Sequence, residues 1–386
     1  MSGTTGPALV GALNDRRVVE LMLEHGPLTR ARIGTLTGLS KQTAAQSVQR
    51  LEGKGIIGSV ARVSTTRGPD AAAYDVVDTG HVGVALAADQ DAITATVVDV
   101  KGHELGSARR TRDPRAGIGE VAEIVSEACR AGQVDRTALR LAVVGVSASV
   151  DPVTDALRFA DDFPRWPATG VRTAIANALG CEVQLDNDVK LAAVAERVHG
   201  AGQGTPGFVE LWLGPGVGLA VDLGGVVVQG VAGAAGEIGY LPVPADVQLT
   251  DPVEPPTIHH LLSVEAVLDL AVRQAVPGAD PDDAAATLAA IAGHDETLNR
   301  LARRIALSVA PVLATLDSGL LVLAGPPAVA GGDRLAGLVA HWLSASTPWH
   351  TRVATSQVGD PVLRGARDVL GRGLRDRLLD AAGLID

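Results

Sequence analysis

Apolar residues recur at helical spacing in three segments of the first 53 residues, which predicts three short helices. The first runs from Leu13 to Glu24 and ends at His25-Gly26-Pro27. The second follows Thr29 and the third follows Ser40, because either hydroxyl can cap a helix N-terminus. The positions expected to face the core are Val18, Leu21 and Met22, then Ile33 and Leu36, then Ala44, Val48 and Leu51.

A turn and a hairpin complete this N-terminal pattern. Thr37-Gly38-Leu39 separates the second and third helices, and glycine there accepts a left-handed backbone that costs other residues energy. After the third helix, Gly55-Ile56-Ile57 begins one strand and Tyr74-Asp75-Val76-Val77 forms a second. The polar segment 62–69 lies between them, with Arg67 at its tip. This order predicts a winged helix-turn-helix.

From residue 82 onward, apolar strands alternate with helices. Strands are predicted at 82–87, 93–98, 141–146, 182–185, 208–213, 217–222 and 320–323. Helices are predicted at 117–131, 173–179 and 189–198, with a long helical region from about 263 to 316. The alternation predicts an α/β fold with ligands at strand ends. We therefore divide the chain into residues 1–80 and residues 81–386.

Composition narrows the protein class. The chain is 46% hydrophobic, has two cysteines, and shows no apolar run near the ~20 residues that a membrane span needs. Its N-terminus lacks the pattern of a signal peptide, so a soluble cytoplasmic protein is expected. The net charge of −11 is uneven, with +2 on residues 1–80 and −13 on the remainder. A mildly basic head on an acidic body suits a protein whose head alone approaches phosphate.

The third helix carries the candidate DNA contacts. Residues expected at base edges are Lys41, Gln42 and Gln46, and those expected at phosphates are Thr43, Ser47 and Arg50. Arg62 and Arg67 belong to the hairpin, where Arg67 is placed to enter a minor groove. The alternative is a helical protein-interaction module with an ordinary solvated face. The combination of capped helix, glycine turn and arginine-tipped hairpin favours double-stranded operator DNA as partner.

Four segments of the body resemble the ROK family, which comprises bacterial repressors and sugar kinases. They are LGPGVGLAVDLGGVVVQG at 213–230, GAAGEIGY at 233–240, FPRW at 163–166 and LDND at 185–188. The resemblance implies a two-lobed, actin-like ATPase fold for residues 81–386, with effector-binding and dimerisation roles. Family repressors carry a winged head that family kinases lack, so the head also fits this resemblance.

Three departures from the family pattern weigh against phosphoryl transfer. Family kinases hold ATP phosphates with an Asp-x-Gly-Gly-Thr loop, where this chain has Ala85-Leu86-Ala87-Ala88-Asp89-Gln90. The second phosphate loop, Gly-Thr-Gly in the family, reads Gly214-Pro215-Gly216, and proline lacks both a hydroxyl and an amide donor. The late Gly-Gly has become Ala324-Gly325-Pro326-Pro327. We therefore expect no ATP, no cofactor and no enzymatic activity.

The resemblance also implies an effector pocket in the degenerate cleft. Asp188 stands at the family's catalytic base and is expected to accept a ligand hydroxyl beside Asn187; the alternative is that both residues merely cap a helix. Glu237 and Glu265 match sugar-binding glutamates of the family. Trp166 would offer a flat face to a sugar ring, or else would only pack. A sugar or sugar derivative is the favoured effector.

Family members commonly hold a zinc ion with a histidine and a cysteine-rich segment. This chain has Tyr240 in place of that histidine and no cysteine after Cys181, so no metal is expected. Tyr240 is instead placed among the effector contacts.

Three functions stay open: a homodimeric, effector-controlled regulator, usually a repressor in this family; a sugar kinase with an accessory head; and a ligand-free regulator whose body only dimerises.

Overall fold

The structure is a computed structural model that describes residues 6–65, 68–77, 80–113, 115–243, 257–348 and 350–384. Its head contains three helices: α1 Gly6–His25, α2 Arg30–Thr37 and α3 Lys41–Gly53. Three antiparallel strands pair in the order β1-β3-β2: β1 Leu28–Thr29, β2 Ile57–Thr65 and β3 Gly68–Val76. This is the winged helix-turn-helix that the sequence predicts. Helix α1 begins seven residues before the predicted start.

The first lobe of the body is built on a five-stranded sheet in the order β10-β7-β4-β5-β6. Its strands are β4 Val82–Ala88, β5 Ala92–Val98, β6 Glu104–Thr111, β7 Leu139–Val146 and β10 Glu182–Asn187. A short hairpin, β8 Ser149–Val150 and β9 Leu157–Arg158, follows β7. Helices α4 Gly119–Ala131 and α5 Val171–Leu179 pack on one face of the sheet through a shared apolar cluster.

The second lobe repeats the plan with the sheet order β13-β12-β11-β14-β15. Its strands are β11 Gly207–Leu213, β12 Val217–Leu223, β13 Val226–Val227, β14 Leu320–Ala324 and β15 Arg352–Thr355. Its outer helices are α7 His259–Leu262, α8 Val264–Arg273, α9 Ala284–Gly293, α10 Asp295–Leu316 and α11 Pro326–Ser346. The predicted helical region 263–316 therefore comprises three helices. The fold class expected from the sequence, α/β with a winged head and two lobes, is confirmed.

Two helices lie at the centre of the molecule: α6 Asp188–His199 and α12 Pro361–Ala382. Val189 and Ala193 of α6 pack on the second-lobe sheet, whereas Leu191 belongs to a cluster on the first-lobe sheet. That cluster also contains Leu370 and Leu374 of α12, and it continues without a break into core residues of the head. The head's core is therefore completed by a helix near the other end of the chain.

Candidate functional site

Helix α3 is positioned by the turn before it. Gly38 has a φ of 72° at the end of α2, and the Ser40 hydroxyl accepts a hydrogen bond from the Thr43 amide at 3.2 Å. Ala44, Val48 and Leu51 are fully buried, so the opposite side of the helix faces outward. The exposed side chains there are Lys41, Gln42, Gln46 and Gln49. Thr43 is half-buried, with its hydroxyl 2.9 Å from that of Ser40.

Two of the predicted phosphate contacts, Ser47 and Arg50, make contacts within the head. Ser47 is fully buried, because it lies on the side of α3 that packs inward. Arg50 directs Nε and Nη2 to the carboxylate of buried Asp15 on α1, at 2.8 and 2.7 Å, and also reaches Ser47 at 3.2 Å. The hydrogen bond with Asp15 raises the pKa of Arg50. These residues hold α3 against α1. The assignment of Ser47 to phosphates is wrong because Ser47 is buried, whereas the assignment of Arg50, which is exposed, stays a prediction.

The wing supplies one further described candidate. Arg62 lies on β2, opposite Ala72 of β3, and is exposed. Arg67 lies outside the described residues, so its proposed entry into a minor groove stays a prediction.

The first of the altered phosphate loops is a tight turn between β4 and β5. The Asp89 carboxylate accepts hydrogen bonds from the amides of Asp91 and Ala92, at 2.8 and 2.7 Å. Arg112 donates to the Asp89 carbonyl at 2.5 Å and fixes the turn from behind. A carboxylate thus occupies backbone donors of this turn and places negative charge there. The amides of Asp91 and Ala92 are therefore bonded within the turn, to the Asp89 carboxylate.

The other two nucleotide elements also differ from the family pattern. In the β11–β12 turn, the Gly214 amide donates to the Gly216 carbonyl at 3.1 Å, and exposed Pro215 between them has no amide to offer. Gly325, with a φ of 90°, lies so close to the Leu213 carbonyl that a methyl group there would overlap it. Pro215 therefore removes one donor from the β11–β12 turn, whereas Gly325 is required by its close contact with β11.

The cleft between the lobes gathers three carboxylates. Asp188 begins α6, and burial together with the nearby charges of Glu237 and Asp162 raises the pKa of Asp188 to about 7. Asn187 caps the same helix by accepting from the Lys190 amide at 3.2 Å, and its amide donates to the Ala148 carbonyl at 3.3 Å. Both predicted roles of Asn187 are therefore compatible, because it caps α6 and also lies beside Asp188.

A Ser147-Ala148-Ser149 segment connects these groups. The Ser147 hydroxyl donates to Asp162 at 2.6 Å, and the Ser149 hydroxyl donates to Glu237. Because Ser149 belongs to the first lobe and Glu237 to the second, the latter bond crosses the cleft. Sequence reasoning missed Ser147, Ser149 and Asp162 as site residues.

The remaining predicted contacts divide into two groups. Tyr240 is 55% exposed and its ring lies 4.4 Å from that of Phe159, while burial and the charge of Glu237 raise its pKa. Trp166, in contrast, is buried in the first-lobe core and donates to Glu120 at 3.1 Å, so its assignment to a sugar face is wrong. Glu265 is exposed on α8, and its charge acts on His259. Within the described chain, the structure shows no contact between Glu265 and the carboxylate cluster.

Lys190 fastens one wall of the cleft. It is 3% exposed, and its ammonium donates to the carbonyls of Gln229 and Gly233 at 3.1 and 2.6 Å. Gly233 also approaches the Val150 carbonyl so closely that a side chain would overlap it. The segment 229–237, which carries Glu237, is therefore held against α6 and β8.

The described residues do not form the zinc site that the family implies. Over the described ranges, no group of three or more His, Cys, Asp or Glu side chains could hold a metal ion. His259 and His260 lie edge to face at 5.7 Å, and Nδ1 of His260 accepts from the Thr257 amide at 3.1 Å.

We also find no described helix long and apolar enough to span a membrane.

The fold and site define a protein with a winged helix-turn-helix head on a two-lobed, kinase-like body. The ROK family model matches residues 83–360, so the chain belongs to the ROK family. A winged helix-turn-helix DNA-binding model matches residues 13–57. The family assignment made from the sequence is confirmed.

Solved structures and curated relatives include both regulators and kinases. The chain resembles a ROK family transcriptional regulator, a homologue of the E. coli MLC protein, with 18% identity, a TM-score of 0.73 and coverage of 97% of this chain and 99% of that one. It is 20% identical to the xylose repressor of Bacillus subtilis over 61% of each chain. It is 32% identical to the glucokinase of Thermotoga maritima over 26% of this chain and 32% of that enzyme. The matches span from about a fifth to about three fifths of the curated relatives' lengths.

Proposed function

We propose that this protein is a sequence-specific DNA-binding regulator, a repressor, that acts in the cytoplasm as a homodimer. The observation that carries the proposal is the outward face of α3, where Lys41, Gln42 and Gln46 are exposed on a helix whose other side is locked into the head. A recognition helix needs this combination of rigid placement and free donors and acceptors. The regulators among the chain's relatives support the same function.

The test is a binding titration with duplexes that the wild-type protein selects from a random pool. Replacing Lys41 and Gln46 with alanine should weaken binding at least about 30-fold, because two base contacts of about 1–3 kcal/mol each are lost. Arg109→Ala is the matched control, because it removes one positive charge from an exposed body position. Equal affinities for the wild type and the double variant would remove α3 as the reading element.

The body would serve as a ligand-responsive domain without kinase chemistry. Asp188, Glu237 and Tyr240 supply hydroxyl acceptors and an aromatic face, and the names of the xylose repressor and glucokinase relatives make D-xylose and D-glucose the first probes. Calorimetry should detect binding of one of these sugars to the wild-type protein and no binding to the Glu237→Ala variant. Binding that survives this change would place the effector elsewhere.

A sugar kinase is the second candidate, because Asp188 is retained at the position of the family's catalytic base. The altered residues of the three phosphate-binding elements weigh against it. The expected result is no ADP release from ATP with either sugar. Hexose-dependent turnover that disappears in Asp188→Asn would establish the kinase instead.

A further inference from the structure

Helix α6 begins inside the cleft. Its first residue is Asp188, and its cap is Asn187, whose side chain bonds to the Ser147–Ser149 segment through the Ala148 carbonyl. Any ligand that changes the position of these side chains therefore acts directly on the N-terminus of α6. A helix moves as a rigid rod more readily than it bends.

The backbones of α6 and α12 touch one turn further on. Gly365 of α12 lies against the carbonyl oxygen of Leu191, and a methyl group on Gly365 would overlap that oxygen. At the other end of α6, His199 is 2.9 Å from Asp368 of α12. At Gly365 the two helices are thus packed without intervening side chains, so that a displacement of one is opposed directly by the other.

The far end of α12 docks on the head. Leu378 is fully buried in the same cluster as Val18 and Met22 of α1. Arg16 of α1 pairs with Asp380 at 3.0 Å, and Lys54, which follows α3, donates to the Ala382 carbonyl at 3.2 Å. At about 1.5 Å per residue, Leu378 lies about 20 Å along the helix from Gly365.

We propose that α12 couples the cleft to the DNA-reading head, with the Gly365–Leu191 contact as the point where movement of α6 enters it. The inference rests on the proposed function and names how that function would be regulated. A second described link, the ion pair of Lys101 with Asp75 at 2.8 Å, lies beside the connection between head and body and is independent of α6. Coupling through α12 therefore predicts that changes at the α6 contact alter the head while Lys101 remains in place.

The test compares two identical substitutions in one helix. Gly365→Ala forces α6 and α12 apart, whereas Gly371→Ala adds the same methyl group where nothing lies within 4 Å. Hydrogen exchange of α1 and α3 and the affinity for the selected duplex are measured for both. Gly365→Ala should change the exchange rates and the duplex affinity by about tenfold each. Gly371→Ala should leave both quantities within about twofold of wild type. Equal behaviour of the two variants overturns the proposal.

A second pair of variants changes the end of α6 that lies in the cleft. These variants keep the proposal testable if Gly365→Ala does not fold. Asn187→Ala removes the cap of α6, and Asp283→Ala removes the equivalent cap of α9 in the second lobe. Faster exchange in α1 with the first variant only supports coupling, and unchanged exchange in α1 with both overturns it. Because exchange needs no DNA, failure of the wild type to bind any duplex would reject the proposed function without deciding the coupling.

Discussion

At the scale of single residues, a buried acid in the second lobe decides a pH dependence. Glu210 on β11 is 1% exposed, and neither of its carboxylate oxygens has a hydrogen-bond partner among the described residues. Burial, with the nearby charge of Glu196, raises the pKa of Glu210 well above its ordinary value. The folded protein therefore favours the neutral acid. Because the pKa of Glu210 is higher in the folded than in the unfolded protein, protonated Glu210 stabilises the fold at pH values below its unfolded pKa of about 4.3. This contribution to stability is lost as the pH rises through the folded pKa.

Glu210→Gln should therefore raise the melting temperature at pH 8 and change it little at pH 5, because the amide cannot ionise. Thermal unfolding followed by circular dichroism across this range measures the effect. Glu265→Gln is the control, because Glu265 is an exposed glutamate of the same lobe. The control should leave the melting temperature unchanged at both pH values. A wild-type profile parallel to that of Glu210→Gln would contradict the assignment.

A second prediction concerns the ion pair between Arg50 of α3 and Asp15 of α1. Arg50→Ala leaves the Asp15 carboxylate buried without its two donors, which costs the head about 1–3 kcal/mol. Exchange of α1 and α3 amides should accelerate accordingly, and Gln49→Ala on the exposed side should have no such effect. Should Arg50→Ala weaken DNA binding while leaving exchange unchanged, Arg50 would be a phosphate contact after all.

At the scale of elements, the segment 229–237 depends on one buried lysine. Lys190→Met keeps the apolar stem but removes the two hydrogen bonds to the Gln229 and Gly233 carbonyls. Each neutral carbonyl bonded to a charged donor contributes about 1.5–3 kcal/mol, so the segment should exchange and be cleaved by protease faster. Limited proteolysis with mass spectrometry locates the cleavage. Cuts that stay outside 229–237 would show that the glycine contacts alone hold it.

Elements differ in how much of their structure the sequence indicates. Helix α3 follows the Ser40 cap and the i, i+4, i+7 apolar pattern, and it occurs where predicted. Strand β6 was not predicted, because its exposed side chains and charges lack the apolar pattern of a buried strand. The first turns of α1 were also missed, since Leu9, Val10 and Leu13 are at least half exposed and define no inward face.

At the scale of the whole molecule, closure of the cleft is a balance of few contacts. Ser149 to Glu237 joins the two lobes, whereas Ser147 to Asp162 lies within the first lobe. Ser149→Ala should shift the protein toward a more open form, because a hydrogen bond to a charged group is comparable with the few kcal/mol that separate such states. Small-angle X-ray scattering should give a larger radius of gyration for this variant and an unchanged one for Ser147→Ala. Identical radii would mean that other contacts set the closure.

The sequence by itself determined the winged head and the alternation of the body, because caps and periodicity are local properties. The sequence indicated altered phosphate-binding loops only through resemblance to a family. It placed Asp188 and Glu237 as neighbours only through resemblance to a family. Tertiary structure decided that Trp166 packs in the first-lobe core, that Arg50 pairs with Asp15, and that α12 joins the cores of head and body. These outcomes depend on which distant side chain is the available partner. Residue spacing along the chain carries no information about that partner.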